Sequence, residues 1–214
     1  MKISVINGSP RMSVGISGLI ISQIERHLNA NIDVYHAIKL IKQEESTTEE
    51  FAKILDCDAL LIIFPLYVDS LPAPLINLLG RIEKFSSDVS LKPHVYAIVN
   101  CGFFEAKQNA LALEMIRSFS LRAKLPWGYG IGIGGGGMLS SMGDNWSKGP
   151  ASGIDKALND MAISINSKES KQNLFAKPKF PRFLYMIAAD LGMRRLAKKN
   201  GVKNIRAKPY NERI

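Results

Sequence analysis

Apolar residues occur with two different spacings along the first three quarters of the chain. Short runs that are apolar throughout or at alternate positions predict β-strands, and apolar residues that recur every three or four positions predict helices. Strands are expected at 2–6, 32–37, 59–64, 95–99 and 127–134. Helices are expected at 16–28, 49–56, 73–85, 107–124 and 154–165. Five strands that alternate with helices predict a doubly wound α/β fold with a five-stranded parallel sheet and right-handed crossovers.

The third predicted strand marks the middle of this sheet. Residues 59–64 are apolar at every position, as expected for a strand that is covered by helices on both faces. A sheet of this kind binds ligands at the carboxyl ends of its strands, beside a topological switch point. The loops after strands one, three and four are therefore expected to meet at one ligand.

Positive charge is concentrated at the carboxyl end of the chain. Residues 1–167 carry 15 basic and 16 acidic side chains, whereas residues 168–214 carry 13 basic and 3 acidic ones. Lysine and proline are frequent at 168–181, which predicts a linker there. We therefore expect a ligand-binding domain at 1–167, followed at 168–214 by a basic linker and a helical extension. A nucleic-acid-binding protein would carry its charge on the recognition fold itself, so nucleic acid is not expected as a partner.

The extension contains one more predicted helix, up to Leu196. Its apolar residues from Phe180 onwards are expected to fall largely on one stripe, with basic residues behind them. These basic residues are Arg194, Arg195, Lys198 and Lys199. The stripe can pack on its own subunit, on another subunit, or on an anionic membrane surface. We expect an oligomer, at least a dimer, to which this helix contributes contacts.

Composition excludes several classes of protein. Apolar residues make up 46% and charged residues 22% of the 214 residues, as in ordinary globular domains. The longest apolar run has nine residues, whereas a membrane-spanning helix needs about twenty, and the start of the chain lacks a signal-peptide pattern. Cys57 and Cys101 form neither a disulfide framework nor a metal-ligand spacing, so a reducing cytoplasm is expected. The histidines are scattered, and no metal site is expected.

The loop after strand one, residues 7–17, has the composition of a phosphate site. It contains three serines, an arginine and two glycines, and it leads directly into a helix amino terminus. Backbone N–H groups and the helix dipole favour an anion there, and side-chain donors can reach its oxygens. These donors are Ser9, Arg11, Ser13 and Ser17. The P-loop and dinucleotide-binding motifs are absent from the loop, and an ordinary strand-to-helix turn is the alternative interpretation.

The loops after strands three and four suit a flat heterocyclic ligand. Residues 65–74 contain three prolines, and Leu66, Tyr67 and Val68 are apolar where a surface loop is usually polar. These side chains either form a ledge for an aromatic ring or merely cover the edge of the sheet. After strand four, Gly102 allows close approach of backbone N–H groups to a ligand. Cys101, beside it, is either a small packed residue or a reactive thiol.

A glycine-rich run follows in the fifth strand and beyond it. Residues 130–137 match the Gly-x-Gly-x-x-Gly pattern twice. Because no helix is expected to begin there, we do not interpret the run as a dinucleotide-binding turn. It is assigned instead to a flexible strand end or to a loop between subunits.

At these loops the sequence resembles the NADPH-dependent FMN reductase family of the flavodoxin-like superfamily, particularly its multimeric flavodoxin and iron-sulfur-flavoprotein-like branch. The resemblance covers about residues 1–165, and three segments carry it: Gly8-Ser9-Pro10-Arg11, Pro65-Leu66-Tyr67-Val68, and Asn100-Cys101-Gly102-Phe103 with Glu105. It implies a flavodoxin-like domain that binds FMN. The cluster cysteines of the branch are missing here, so no iron–sulfur cluster is expected.

The resemblance also implies a role for each loop. In the family the first loop binds the FMN phosphate, the second lies along the isoalloxazine ring, and the third contacts the pyrimidine side of that ring. The corresponding residues are Ser9, Arg11, Ser13, Ile16 and Ser17 for the first loop, Pro65, Leu66, Tyr67 and Val68 for the second, and Asn100, Cys101 and Gly102 for the third. Ile16 stands where asparagine is common, so its contact can only be made through the backbone. No catalytic side chain is expected, because the flavin supplies the chemistry.

The activity that the resemblance implies is transfer of hydride from NADPH or NADH through FMN to a flavin, a quinone or another small acceptor. Because the family is multimeric, a homo-oligomer, dimer or tetramer, is expected. The alternatives are a one-electron carrier of the flavodoxin kind and an FMN-binding regulatory or membrane-associated module that acts through the basic tail. Carriers typically dock through an acidic surface, whereas this chain has a pI of about 9.6.

Overall fold

Six parallel strands form one sheet in the order β2-β1-β3-β4-β5-β6. The computed structural model describes residues 1–11, 15–42, 48–86, 92–143, 145–202 and 205. The strands are β1 (Lys2–Asn7), β2 (Asn31–His36), β3 (Ala59–Pro65), β4 (His94–Asn100), β5 (Trp127–Ile133) and β6 (Leu174–Ala176). The order of the first five strands is that of the flavodoxin-like fold. The predicted fold class is therefore confirmed.

Helices cover both faces of the sheet and form two separate apolar cores. The helices are α1 (Ile16–Glu25), α2 (Ala37–Lys42), α3 (Thr48–Leu55), α4 (Ala73–Ser86), α5 (Ala110–Arg122), α6 (Gly136–Leu139), α7 (Ser152–Ser167) and α8 (Arg182–Lys199). Short 3₁₀ turns precede α5 and α7, at Ala106–Asn109 and Gly149–Ala151. Side chains of α2 to α5 pack on one face of the sheet, and those of α1, α6 and α7 pack on the other.

The central strand β3 contributes to both cores. Because side chains alternate between the faces of a strand, Leu60, Ile62 and Phe64 enter the core under α2 to α5. Ala59, Leu61 and Ile63 enter the core under α1 and α7. All six side chains are fully buried, and each of the larger ones contributes about 1.5–3 kcal/mol to folding. This double burial holds the end of β3, and the loop that follows it, at a fixed position.

The sheet has six strands rather than the five that the sequence predicted. β6 lies at 174–176, within the predicted linker, and pairs in parallel with the last three residues of β5. Two further bonds support this pairing. The Gly130 N–H of β5 donates to Oδ1 of Asn173, which precedes β6, at 2.9 Å. The N–H of Gly134, which follows β5, donates to Ala176 O at 2.9 Å. The segment is too short to show a strand pattern of its own. It forms a strand because it pairs with the backbone groups of β5.

The chain divides into two compact units, Met1–Lys179 and Phe180–Ile214. The first unit includes most of the stretch that we predicted to be a linker, because β6 belongs to the sheet. The second unit contains α8, so the helix predicted in the extension is present. Among the described residues, no helix is both long enough and apolar enough to cross a bilayer.

The predicted apolar stripe of α8 is only partly found. At about 100° per residue, Phe183, Leu184, Ile187 and Leu191 share one side of the helix, as predicted, whereas Leu196 lies opposite. Arg194 and Lys198 lie on the side of the stripe and not behind it. Seven large apolar side chains of the helix are exposed: Phe183, Leu184, Met186, Ile187, Leu191, Met193 and Leu196. Basic residues follow at 194, 195, 198 and 199. Apolar and basic residues therefore separate along the axis of α8 rather than around it.

Candidate functional site

A cavity opens at the carboxyl edge of the sheet, where the loops after β1, β3, β4 and β5 meet. This edge includes the switch point between β1 and β3, at which the strand order reverses. Ten of the predicted site residues line the cavity: Ser9, Arg11, Ile16, Ser17, Pro65, Leu66, Tyr67, Asn100, Cys101 and Gly102. Of the remaining two, Ser13 lies outside the described residues, and Val68 is not part of the lining.

The loop after β1 provides hydrogen-bond donors and positive charge at one end of the cavity. The Ser9 N–H donates to Asn7 Oδ1 at 3.0 Å, and the Arg11 N–H donates to Ser9 Oγ at 3.3 Å, so side-chain oxygens shape the turn. The loop ends at Gly15, the N-cap of α1, which has neither a side-chain cap nor an acidic residue in its first turn. The positive end of the α1 dipole, with Ser9 and Arg11 beside it, suits a phosphate group.

The turn out of β1 requires glycine at position 8. A Cβ atom there would lie 2.7 Å from Leu75 Cδ2 and 2.8 Å from Phe64 Cβ, which is closer than packed atoms allow. The Gly8 N–H also donates to Ile63 O at 2.8 Å. The first loop is thus held against the end of β3 and the start of α4, and this contact fixes its position relative to the second loop.

Asn100, the last residue of β4, joins three parts of the cavity. Its Nδ2 donates to Ser17 Oγ at 3.2 Å and to Phe64 O at 3.1 Å. Its carbonyl oxygen accepts the Leu66 N–H at 2.8 Å. Because Asn100 is buried, these bonds are shielded from water. They hold the start of α1 and the end of β3 at fixed distances from β4.

The loop after β3 contains a two-residue hairpin. Tyr67 and Ser70 exchange two backbone hydrogen bonds of 3.0 Å, and Val68 and Asp69 between them have φ angles of 49° and 56°. Two positive φ angles define a type I′ turn, in which a β-branched residue is strained. The turn places Tyr67 on the cavity wall and leaves the Val68 side chain 97% exposed at its tip. Val68 therefore lies outside the cavity lining because of the direction of this hairpin.

The glycine run after β5 forms part of the cavity, which the sequence pattern did not predict. Gly135, with a φ of 65°, is the N-cap of the four-residue helix α6, and Gly136 and Gly137 line the cavity. The Gly136 N–H donates to Cys101 O at 2.8 Å, and a Cβ on Gly136 would lie 2.8 Å from the same oxygen. The expectation that no helix begins in this run is therefore wrong, whereas its assignment to a flexible strand end or to a loop between subunits stays a prediction. The usable signal was the position of the run at the same sheet edge as the other loops.

Cys101 is a buried thiol rather than an exposed nucleophile. Its side chain lies 3.4 Å from Asn109 Nδ2. Burial raises the pKa of the Cys101 thiol above its ordinary value, although hydrogen bonds from Phe103 and Asn109 act in the opposite direction. Since the thiolate is the reactive form, this environment favours the packed interpretation of Cys101. Among the described residues, no group of three His, Cys, Asp or Glu side chains could hold a metal ion.

The sequence of residues 1–124 matches the family of NADPH-dependent FMN reductases. The chain belongs to this family. It is therefore an NAD(P)H-dependent oxidoreductase whose cofactor is FMN. The cavity fits that cofactor, because the donors and the guanidinium of the loop after β1 suit the phosphate, and apolar Leu66 and Tyr67 of the loop after β3 suit a flat ring.

Solved structures of flavoenzymes share the fold of this reductase. The NADH:FMN oxidoreductase EMOB, in its apo form, has a TM-score of 0.57 at 15% identity, over 79% of this chain and 90% of its own. A flavone reductase has a TM-score of 0.54 at 11% identity, over 96% and 93%. FerB, an NAD(P)H:(acceptor) oxidoreductase from Paracoccus denitrificans, has a TM-score of 0.52 at 14% identity, over 78% and 95%. The sequence has no significant match among curated proteins.

The raised pKa of Cys101 predicts slow alkylation of the folded reductase. In a Cys57→Ser variant, where Cys101 is the one remaining thiol, iodoacetamide at pH 8 should react far more slowly than it does with the same protein in urea. The physical reason is that a raised pKa lowers the thiolate fraction at this pH. The rate is followed by mass spectrometry. Alkylation of the folded protein at the rate of the unfolded chain would show that Cys101 is an accessible, reactive thiol.

Proposed function

We propose that this reductase passes electrons from NADPH or NADH, through FMN held in the cavity, to a small acceptor such as a free flavin or a quinone. Bound FMN supplies the chemistry, because it accepts hydride from reduced nicotinamide and donates electrons to the second substrate. The observation that supports this proposal most is the polarity of the cavity. Its lining combines donors and a guanidinium from the loop after β1 with apolar side chains from the loop after β3, and these two strands flank the switch point of the sheet.

The roles of the lining residues follow from this polarity. Arg11 is the one lining residue, among those described, that carries a charge at neutral pH, so the cavity favours an anion. In this proposal Ser9, Ser17 and the start of α1 share the phosphate with Arg11. Leu66 and Tyr67 contact the flavin ring, and backbone N–H groups near Gly102 stabilise negative charge at its pyrimidine side.

The rim of the cavity supports a small acceptor rather than a protein partner. Tyr67 and Phe103 are 42% and 56% exposed on the loops after β3 and β4, and they offer apolar surface to a flat molecule. A one-electron carrier would require a complementary charged surface for docking, whereas residues 1–167 carry 15 basic and 16 acidic side chains. The carrier and regulatory functions are the alternatives that the next experiment separates from the enzyme.

Stopped-flow reduction of the bound flavin tests the proposed function. The purified protein should be yellow, release FMN rather than FAD on denaturation, and lose its flavin absorbance rapidly when mixed with NADPH or NADH in oxygen-free solution. Subsequent addition of a quinone or free flavin should restore the absorbance. Flavin that is bleached by dithionite but not by either nicotinamide would favour a carrier or a regulatory module. A protein that binds no FMN would exclude all three.

The Arg11→Ala variant tests the phosphate end of the cavity. Loss of a charge-assisted hydrogen bond should cost about 1.5–3 kcal/mol, which corresponds to a roughly 10- to 150-fold weaker binding of FMN. Riboflavin, which lacks the phosphate, should bind the variant and the wild type about equally. Quenching of flavin fluorescence measures both affinities. Arg117→Ala, which removes an exposed arginine of α5 that pairs with Glu114, is the matched control. Equal losses for FMN and riboflavin would mean that Arg11 acts on folding instead.

We propose further that the reductase is a homo-oligomer, at least a dimer, in which α8 contributes contacts. Its first half carries apolar side chains around the whole circumference, and a helix of this kind is stable when it is enclosed. A flat membrane surface covers one side of a helix and favours helices with one apolar face and one charged face. The axial separation of residues in α8 does not provide two such faces. Packing on another subunit is therefore better supported than packing on a membrane surface.

Substitutions in α8 test the role of this helix in assembly. The double variant Ile187→Ser/Leu191→Ser should lower the mass measured by light scattering, because it removes apolar contact area from one side of α8. Removal of residues 180–214 should have the same effect while the unit Met1–Lys179, which has its own cores, stays folded. Arg195→Ser is the control on the same helix. An unchanged mass in both variants would exclude α8 from the interface, and binding of the wild type to anionic vesicles would favour the membrane surface.

A further inference from the structure

A buried asparagine outside the cavity connects two of its loops. Asn109, the last residue of the 3₁₀ turn before α5, is fully buried and does not line the cavity. Its Nδ2 donates to Ala106 O at 3.0 Å and to Ile133 O at 3.1 Å, and it lies 3.4 Å from Cys101 Sγ. One amide group thus contacts the loop after β4, the turn that follows it, and the end of β5.

The surroundings of Asn109 determine the orientation of its amide. Two carbonyl oxygens face Nδ2, so the reversed amide would bring three acceptor oxygens together. Asn109 Oδ1 is buried and has no hydrogen-bond partner among the residues that the structure describes. Leaving a buried acceptor unpaired is unfavourable. The amide keeps this orientation because the hydrogen bonds that Nδ2 donates to Ala106 O and Ile133 O are worth more than that cost. Gly132 leaves room for the side chain, since a Cβ there would lie 3.0 Å from Asn109 Cβ.

The partners of Asn109 are the groups that connect the third loop to the glycine run. Ile133 O accepts both Asn109 Nδ2 and the Cys101 N–H, the latter at 2.9 Å. Cys101 O in turn accepts the Gly136 N–H at 2.8 Å. Cys101 and Gly136 both line the cavity. A shift of Ile133 O after a change at Asn109 would therefore move Cys101 through its N–H bond to that oxygen, and would move Gly136 through its bond to Cys101 O. Ser9 and Arg11, in the first loop, are not bonded to Asn109.

We propose that Asn109 is a positioning residue, which holds the Cys101–Gly102 backbone and the Gly136 backbone where they meet the pyrimidine side of the flavin. This inference rests on the proposed function, because it assumes that FMN occupies the cavity. Without the Nδ2 donor, the loops lose the side-chain contacts to Ala106 O, Ile133 O and Cys101 Sγ, and only the backbone bonds from Cys101 to Ile133 and from Gly136 to Cys101 connect them. The wall of the cavity that these two loops form then shifts relative to the flavin ring, and the phosphate site is unchanged.

The Asn109→Leu variant tests this role, because leucine has a similar volume and removes both the donor and the unpaired acceptor. Binding of FMN and of riboflavin should weaken by the same factor, up to about tenfold, a limit that is reached if binding must restore loop positions worth one buried hydrogen bond of ordinary strength. This parity distinguishes Asn109 from Arg11, which is expected to affect FMN alone. Flavin fluorescence quenching measures both ligands. Asn109→Ser, which keeps one donor, should show a smaller loss, and it replaces the leucine variant if that variant does not fold.

The reduction potential of the bound FMN is the second readout. If reduced FMN loses about ten times more affinity than oxidised FMN, the two-electron potential of the complex becomes more negative by about 30 mV. The control is Ser120→Ala, which removes another buried hydrogen bond on α5, from Ser120 Oγ to Leu125 O at 2.7 Å, at the far end of that helix. Ser120→Ala should lower the melting temperature but leave the potential and both affinities unchanged.

The possible results distinguish failure of the proposed function from failure of the role proposed for Asn109. A wild-type protein that binds neither flavin would overturn the proposed function itself. A wild type that binds FMN, together with an Asn109→Leu variant whose affinities and potential match those of Ser120→Ala, would overturn only the role of Asn109. A loss confined to FMN, with riboflavin unaffected, would also contradict it, because the effect would then originate at the phosphate end.

Discussion

The hydrogen bonds of Asn100 provide the constraint on which the cavity depends. Parallel strands end at one edge of a sheet, but their loops would diverge without a connection between them. Asn100 bonds to Ser17 at the start of α1 and to Phe64 and Leu66 at the end of β3. Because the side chain is buried, water does not compete for these bonds, and each is costly to break. The end of β3 is itself fixed by burial on both faces of the sheet. Because Asn100 bonds the start of α1 and the loop after β3 to this fixed end, these loops are held in place by the core.

Within this rigid backbone, the positive end of the α1 dipole has no negatively charged group beside it on the described residues of its first turn. The first turn of α1 carries no acidic residue and no side-chain cap, and Arg11 adds positive charge beside it. A helix terminus of this kind is less stable than a capped one. An anionic ligand would complete it, and ligand binding would then increase the stability of the folded chain by mass action. If the FMN phosphate binds there as proposed, the empty form of the chain is less stable than the form with bound phosphate.

The sequence predicted those parts of the molecule in which one residue pattern determines the structure. The apolar run at 59–64 is β3. Residues of the loops at 9–11 and 15–17, 65–67 and 100–102 meet at one cavity because parallel strands share an edge. β6 was not predicted, because three residues are too few to show a strand pattern and the strand forms only by pairing with β5. The helix α6 is only four residues long, and its glycines are enforced by contacts such as that of Gly136 with Cys101 O. The contacts of Asn109 join segments far apart in the chain, and no local spacing indicates them.

The hairpin after β3 shows how the mouth of the cavity differs from its interior. A type I′ turn favours Asn and Gly, but this chain has Val68 and Asp69 at the two positions with positive φ. Backbone strain of this kind persists where the surrounding contacts hold the residue in its unfavourable conformation. It is found most often at functional sites. Here the prolines at 65 and 72 and the Tyr67–Ser70 bonds flank the strained pair. The turn therefore holds Tyr67 on the cavity wall and Val68 in solvent without the freedom of an ordinary loop. An acceptor that approaches this mouth meets apolar side chains on a rigid backbone, so shape and apolar surface, rather than charge, would determine which acceptors the proposed enzyme accepts.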